Sequence, residues 1–436
     1  MIKINKIFIL GLVVIGLGLL GGHCSPPATQ SPDKQQSDSS KITLPDIDIS
    51  GSPDGIVPLP EEVHPLFKQT FAKYTKIIAP NGKPIHILAQ DGWTNDQIKK
   101  ARNVLEFLLT PVPGTIYGSR KEEVANMMAN RKATLVLFNT VDDLKKALAG
   151  PLGEKTDLSM QDLRANECPA EGTEDYLNHI TRDASLEEIW HLVHDNGVKL
   201  VLPEMIAEMR VANDLAAQKG WRAWPEDEPE EHPNEYFGVL LDNYYDLWTV
   251  KPKKYEGKPI KDEALPEGTS HFGRYFAGSR AKLKKLDPQG YALIEKFCPP
   301  FLTYTAELPA SFRGTFSLQF DPQVIYTFKS RHLRNVKLTG HEDANLIGND
   351  ADNNLIGNAG NNFLQGGKGD DRFDGKEGID CAVYSGKKEE YTLKIQGKIT
   401  VVIDNVSGRD GTDTLINIEK VKFLSTQEVI DLNHKN

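Results

Sequence analysis

A nine-residue period near the C-terminus constrains the fold of this chain more than any other feature of its 436 residues. Large apolar residues recur nine positions apart at Leu346, Leu355, Leu364 and Phe373. Glycines recur in the same frame, and the most regular unit is Gly-Gly-Lys-Gly-Asp-Asp-Arg-Phe-Asp at 366–374. Glycines permit tight turns that leave carbonyl oxygens free, and Asp or Asn adds side-chain oxygens. Because Ca²⁺ prefers six to eight oxygen ligands, the period predicts short strands joined by calcium-binding turns.

This unit resembles the GGxGxDxUx repeat of the RTX, or hemolysin-type calcium-binding, family, where U is a large apolar residue. The resemblance implies a parallel β-roll in which two repeats form one turn, so that residues 18 apart stack and share an ion. It pairs Asn353 with Asp371 and Asn362 with Asp380. Each pair contains one neutral Asn, and we therefore expect weaker calcium binding than in a full-consensus roll. The glycines implied in these loops are Gly348, Gly357, Gly366 and Gly375.

The segment after the repeats alternates like β-strands and resembles the capping tail that follows such rolls. We predict a β-roll over 331–386 and a β-strand cap over 387–436. The RTX module occurs in proteases, lipases, adhesins and toxins, so the resemblance does not fix an activity.

The N-terminus has the pattern of an export signal. Lys3 and Lys6 precede an apolar run over 7–20, which predicts a signal peptide over 1–23. The residues Gly21-Gly22-His23-Cys24 resemble the lipobox of bacterial lipoproteins, although His23 stands where a small residue is usual. The resemblance implies lipidation of Cys24, a membrane anchor, and an outer-membrane or cell-surface location. The alternative is secretion without a lipid. Residues 24–56 are rich in Ser, Pro, Gln and Asp and predict a flexible tether.

The region 57–330 has the pattern of a mixed α/β domain. Strand-like runs occur at 75–78, 85–88 and 133–138, and helical periodicity marks several segments. The predicted fold class is therefore α+β, with this domain followed by the roll and its cap. The main predicted helices begin near 94 and span 121–131, 140–148, 185–195, 203–218, 234–248 and 288–297.

One predicted helix carries the residue types of a metallopeptidase site. It contains Glu187, Glu188 and His191, and it resembles the HExxH helix of the zincins with the first His replaced by Glu187. A later helix contains Glu235 followed by Tyr and Phe, similar to the helix that supplies a Glu ligand in some zincins. The resemblance implies Glu187, His191 and Glu235 as zinc ligands and Glu188 as general base. His194 is a further candidate ligand.

Two classes of function remain open from the sequence. The first is an exported, surface-anchored calcium-binding lipoprotein whose degenerate, peptidase-like domain has a binding or structural role. The second is a secreted zinc metalloendopeptidase with a protein or peptide substrate. The net charge of −10, without a basic block, argues against a nucleic-acid partner. Cys168 and Cys298 could form a disulfide in an exported protein, or they could be buried free thiols.

Overall fold

The computed structural model describes residues 41–224, 229–261 and 265–432. The predicted signal peptide, Cys24 and most of the predicted tether lie outside these ranges. Across the described part of the chain, no helix combines the length and apolar character needed to cross a membrane.

The N-terminal domain is built on a mixed five-stranded sheet in which the strands lie side by side in chain order. The first three strands are antiparallel, and the last two continue parallel to the third. The fourth strand is buried along its whole length, as its unbroken run of mostly apolar residues predicts. The strands are Val57–Pro58 (β1), Lys73–Ile78 (β2), Pro84–Ala89 (β3), Ala133–Phe138 (β4) and Ser159–Arg164 (β5). A short hairpin, Lys254–Tyr255 (β6) with Lys258–Pro259 (β7), lies apart from this sheet.

The longest helices of this domain are its second, ninth and tenth. In chain order, the helices are Pro65–Lys68 (α1), Asn95–Leu109 (α2), Lys121–Asn130 (α3), Val141–Leu148 (α4), Pro151–Lys155 (α5), Glu174–Asn178 (α6), Ser185–Val193 (α7), Lys199–Val201 (α8), Pro203–Gln218 (α9), His232–Tyr244 (α10), Arg280–Leu286 (α11) and Pro288–Glu295 (α12). Helix α2 begins at a capping box formed by Thr94 and Gln97, which satisfies amides of the first turn. Helix α10 is shorter than predicted, because the chain turns into a left-handed conformation at Asp246.

Helices α7 and α10 approach closely because Gly238 has no side chain. A Cβ built on Gly238 would lie 3.2 Å from Cγ of Glu187. The rings of Trp190 and Phe237 stack beside this crossing, with centroids 4.2 Å apart. The acidic first turn of α7 therefore lies against the middle of α10. The candidate metal ligands lie at this crossing.

The end of α7 differs from the prediction. We expected Asn196 and Gly197 to end the helix, but residues His194–Val198 continue as a π-helical turn that leads into α8. A Cβ on Gly197 would lie 2.5 Å from Cγ1 of Val124 and 3.1 Å from Cγ of Met128. Gly197 thus allows close packing on α3, and it does not serve as a helix stop.

The C-terminal region is a roll of two facing sheets. The first contains Leu302–Glu307 (β8), Leu333–Lys337 (β10), Asn354–Ile356 (β12), Arg372–Asp374 (β14) and Thr412–Ile416 (β18), all parallel. The second contains Gly314–Ser317 (β9), Ala344–Ile347 (β11), Phe363–Gln365 (β13), Cys381–Tyr384 (β15) and Lys420–Phe423 (β19), also parallel. Antiparallel strands extend each sheet, namely Tyr391–Gln396 (β16) and Ile399–Asp404 (β17) on the first and Glu428–Asp431 (β20) on the second. A short helix, Thr327–Ser330 (α13), lies between β9 and β10.

The strand register follows the nine-residue period. Leu355 pairs with Phe373 in one sheet, and Leu346 pairs with Leu364 in the other. All four side chains are buried between the sheets. Consecutive nonapeptides therefore alternate between the sheets, and residues 18 apart stack, as the RTX resemblance implied.

Two segments fold outside the boundaries that we predicted. Strands β8 and β9 already belong to the roll sheets, so the roll extends to residue 302 and not only to 331. Residues 41–56 were assigned to the tether, yet Leu44 and Ile47 are buried against the five-stranded sheet. Isolated apolar residues in a polar segment give no periodic signal, which explains why the sequence did not reveal this packing.

The roll packs directly on the N-terminal domain. Asn103 of α2 donates a hydrogen bond to the carbonyl of Thr305 (3.1 Å), and Lys99 pairs with Glu307 (3.0 Å). Cys168, Cys298 and Cys381 are all buried and free, which resolves the open question of a disulfide between the first two.

Candidate functional site

The first calcium-type stack runs along one edge of the roll and contains Asn353, Asp371 and Asp413. The Asn353 amide donates to Oδ1 of Asp371 (2.7 Å), and the Asp371 amide donates to Oδ1 of Asp413 (2.9 Å). The side chains of Asp371 and Asp413 therefore each accept a hydrogen bond from the preceding turn of the stack. All three residues are buried. Oδ2 of Asp371 has no hydrogen-bond partner among the described residues, so it is an uncompensated anionic oxygen.

The second stack lies on the opposite edge and repeats this arrangement with Asn362, Asp380 and Glu419. The Asn362 amide donates to Oδ1 of Asp380 (2.8 Å), and the Asp380 amide donates to Oε2 of Glu419 (2.8 Å). Oδ2 of Asp380 is also buried without a hydrogen-bond partner in the described structure. The pairs predicted from the sequence are thus brought together on both edges.

The four glycines implied as part of the calcium loops line the space around these oxygens. A Cβ on Gly366 would overlap Oδ2 of Asp371, and one on Gly375 would overlap Oδ2 of Asp380. Gly348 and Gly357 likewise lie against the amide oxygens of Asn353 and Asn362 and against loop carbonyls of the next turn. The absence of side chains at these positions leaves a cradle of oxygens that fits a hard cation.

The electrostatics of the stacks also favour binding of a cation. Burial raises the pKa of Asp371 and of Asp380 to about 7, and it raises the pKa of Asp413 to about 8. Neighbouring carboxylates act in the same direction as burial at all three. A divalent cation would stabilise the ionised carboxylates by removing both penalties.

Two members of the stacks, Asp413 and Glu419, were not predicted from the sequence. They follow their partners by 42 and 39 residues, because the β16–β17 hairpin and its loops separate them from the repeats. A local signal was nevertheless present. Asp413 precedes Leu415 by two positions, as Asp371 precedes Phe373, and Glu419 precedes the buried Val421 by two positions. Each stack therefore ends on a second acidic residue, supplied by the cap.

The predicted zinc residues also converge in space. Glu187, His191 and Glu235 are buried, and one ligand atom of each lies within 4.8 Å of the others. Nε2 of His191 is 3.6 Å from Oε1 of Glu235. Burial alone would lower the pKa of His191, but the carboxylates of Glu235, Glu188 and Glu187 outweigh it and raise this pKa to about 9. The further candidate ligand, His194, instead contacts Asp195 (2.7 Å).

Arg182 forms ion pairs with the acidic residues in the first turn of α7. It contacts Glu187 at 3.0 Å and Glu188 at 3.3 Å, and it also reaches Glu167 at 3.4 Å. Gln161 donates a further hydrogen bond to Glu188 (3.2 Å). Burial raises the pKa of Glu188 well above its usual value, and the carboxylates of Glu167 and Glu187 add to the effect. The residue proposed as general base is thus part of an internal ion-pair network.

Comparison with known proteins supports one part of this description. Residues 347–380 match the family model of the RTX calcium-binding nonapeptide repeat, in four copies. The stacked loops are therefore RTX calcium-binding repeats, and calcium is the cation that they bind. The matched residues end before Asp413 and Glu419, so the place of these two residues in the stacks is a finding of the structure alone.

The remaining comparisons add no functional information. The sequence has no match among the curated proteins. Among solved structures, the chain is similar to the extracellular lipase LipA from Serratia marcescens, with 10% sequence identity and a TM-score of 0.20. That similarity covers 82% of this chain and 56% of the lipase, so the chain spans little more than half of the lipase's length.

Proposed function

We propose that this protein is exported, is anchored to the membrane through a lipid on Cys24, and acts outside the cell as a calcium-dependent binding or structural protein. The observation that carries the calcium part is a pair of buried oxygens without hydrogen-bond partners among the described residues, Oδ2 of Asp371 beside Gly366 and Oδ2 of Asp380 beside Gly375. Neutral Asn at one position of each stack favours moderate affinity. Extracellular calcium modules bind with dissociation constants of about 10⁻⁴ to 10⁻³ M, so such a roll would fill only outside the cytosol.

Hydrogen exchange with and without calcium tests the first part of this proposal. We expect amides in 344–384 to be protected with calcium and to exchange faster in a chelator, because the uncompensated carboxylates destabilise the empty loops. Asp371→Asn should lose most of the calcium response. Asp350→Asn is the matched control, since its side chain is 76% exposed in the same repeats. Equal protection under both conditions would refute calcium-dependent folding.

Fractionation of cells tests the anchor separately. If Cys24 is lipidated, the protein should sediment with membranes, and Cys24→Ser should release it or leave it unprocessed. A wild-type protein that is soluble outside the cell would instead support the alternative of plain secretion, without affecting the calcium proposal.

The α/β domain supports a binding or structural role better than catalysis. A general base must reach a water molecule or a substrate, whereas Glu188 is surrounded by Arg182 and Gln161 and is only 17% exposed. The guanidinium of Arg182 places a positive charge next to Glu187 and Glu188. In a zinc hydrolase, the metal ion provides the corresponding charge.

The zinc metalloendopeptidase remains the second candidate function. It is favoured by the convergence of Glu187, His191 and Glu235, with Glu188 as the general base. Cleavage of unfolded casein by the zinc-loaded protein, abolished in Glu188→Gln, would establish it. The absence of cleavage with zinc bound would leave the binding role as the better account.

A further inference from the structure

We propose that the α/β domain holds a transition-metal ion of the zinc class between Glu187, Asp242 and His271. This site is distinct from the set implied by the zincin resemblance and does not depend on the calcium proposal. All three residues are buried, and one ligand atom of each lies within 4.8 Å of the other two. Helix α7 supplies the first residue, α10 supplies the second, and a single 3₁₀ turn at His271–Gly273 supplies the third.

The ligand spacing fits a shared metal ion. Nε2 of His271 is 3.2 Å from Oδ2 of Asp242 and 3.7 Å from Oε2 of Glu187. Two ligands of a tetrahedral zinc ion, each bound at about 2.0–2.2 Å, are separated by about 3.4 Å. The observed distances lie on either side of that value, so a small adjustment of the side chains would bring all three to bonding distance.

Unsatisfied polar atoms point to a missing ligand at this position. Nδ1 of His271 has no hydrogen-bond partner within the described ranges, although the residue is only 4% exposed, and Nε2 has only its ion-pair contacts with the two carboxylates. Oδ1 of Asp242, which is fully buried, has no hydrogen-bond partner there either. Buried polar groups without partners cost free energy, and coordination of a metal by the ring nitrogen would remove part of that cost.

Outer partners already orient the two carboxylates. Nε1 of Trp248 donates to Oδ2 of Asp242 (3.1 Å), and Nη1 of Arg182 donates to Oε2 of Glu187 (3.0 Å). The ring of Trp248 also lies against that of His271, with centroids 4.7 Å apart. Hydrogen bonds from a second layer of residues are characteristic of metal sites, because they hold the ligands in the coordinating orientation.

The geometry of α10 places Glu187 between two alternative ligand sets. Glu235, Gly238 and Asp242 lie three and four residues apart and therefore share the face of α10 that meets α7. His191 contacts Glu235 at one end of this face, and His271 contacts Asp242 at the other. We assign the metal to the Asp242 end. There, His271 lies at ligand spacing from both Asp242 and Glu187, and both His271 and Asp242 have a buried polar atom without a hydrogen-bond partner among the described residues.

The donor set also selects the class of metal. Imidazole is a good ligand of zinc and its neighbours in the periodic table and a poor one for calcium or magnesium, whereas carboxylates accept both classes. The roll supplies only oxygen ligands, and the α/β site adds an imidazole. The two sites should therefore take different ions from the same medium.

Titration of the intact protein with zinc, in excess calcium to fill the roll, tests this site. We expect one equivalent of Zn²⁺ by calorimetry, and Co²⁺ as a probe should give visible absorption bands. Second-layer residues alone are worth about 10- to 100-fold in affinity, so loss of a direct ligand should cost at least about 100-fold. His271→Gln and Asp242→Asn should both show this loss and remove the cobalt bands. Asp242→Asn keeps an oxygen acceptor for Trp248, so it provides a second test should His271→Gln fail to fold.

His191→Gln is the matched comparison, because it alters only the alternative set. We expect it to change zinc affinity by less than about threefold. The assignment is overturned if the folded wild-type protein binds neither metal. It is also overturned if His191→Gln weakens binding as much as His271→Gln does, or if Asp242→Asn retains the cobalt spectrum. None of these results bears on calcium binding by the roll.

Discussion

The calcium-free roll should become less stable as the pH rises from about 5 to about 8. Asp371, Asp380 and Asp413 are buried, and burial raises their pKa values to about 7, 7 and 8 from an ordinary 3.8. In this pH window the folded roll keeps protons that the unfolded chain has already released. Because the folded state then binds more protons than the unfolded state, the free energy of unfolding falls with rising pH.

The magnitude follows from the sizes of these shifts. For a pKa of about 7 in the folded state, the rise from pH 5 to pH 8 removes about 3 kcal/mol per carboxyl group without screening. The effective dielectric constant of a protein, about 20 even at buried sites, reduces this to about 1 kcal/mol per group. Three groups give about 3 kcal/mol, a large fraction of the roughly 5–15 kcal/mol that stabilises a typical domain.

Urea unfolding in a chelator, followed by far-ultraviolet circular dichroism, measures this loss. All five Trp residues precede residue 249, so Trp fluorescence reports separately on the α/β domain. The triple variant Asp371→Asn, Asp380→Asn, Asp413→Asn should abolish the pH dependence of the roll transition, and Asp350→Asn should retain it.

Saturating calcium provides the complementary measurement. The ion binds the ionised carboxylates, so the stabilisation that it gives should be larger at pH 8 than at pH 5. A roll whose stability in the chelator is constant, or increases, between these pH values would refute the assignment of the buried carboxylates as uncompensated charges.

Three further predictions concern single side chains. Asp413→Asn should lower calcium affinity about tenfold or more by calorimetry, because anionic ligands set affinity; an unchanged affinity would exclude the cap from the site. Gly366→Ala should abolish the calcium-induced change in circular dichroism, since its Cβ overlaps the carboxylate of Asp371, whereas Gly153→Ala, with no atom within 4 Å, should not. Lys100→Met should cost about 3–5 kcal/mol in unfolding followed by Trp fluorescence, because it leaves two buried acidic partners without their cation; a cost below about 1 kcal/mol would contradict this.

The repetitive part of the fold could be predicted because each repeat carries its own signal. The period of nine marks equivalent positions, and the RTX resemblance implied that residues 18 apart stack, as Asn353 and Asp371 do in the structure. Asp413 was not predicted, because a hairpin is inserted between it and the repeats. Repeat counting detects regular spacing, and an insertion breaks that spacing without breaking the stack.

Prediction of the site in the α/β domain from the sequence was limited for a different reason. The sequence indicated Glu187, His191 and Glu235 because they match positions of a known motif, and the structure does bring them together. It gave no indication of Arg182, which precedes α7, or of His271, which lies far along the chain in an irregular segment. Both reach the site only through tertiary packing, and neither belongs to a periodic or motif-like pattern.

The two regions neutralise their buried acids in opposite ways. In the α/β domain, cationic side chains of the chain itself neutralise several buried acids, since Arg182 contacts three carboxylates and Lys100 contacts two. In the roll, buried carboxylates such as Asp371 and Asp380 retain partnerless oxygens with no cationic side chain bonded to them in the described ranges. An internal counter-charge is present in any medium, whereas an external one makes stability depend on the concentration of the ion. Removal of calcium should therefore destabilise the roll more than the α/β domain on which it packs.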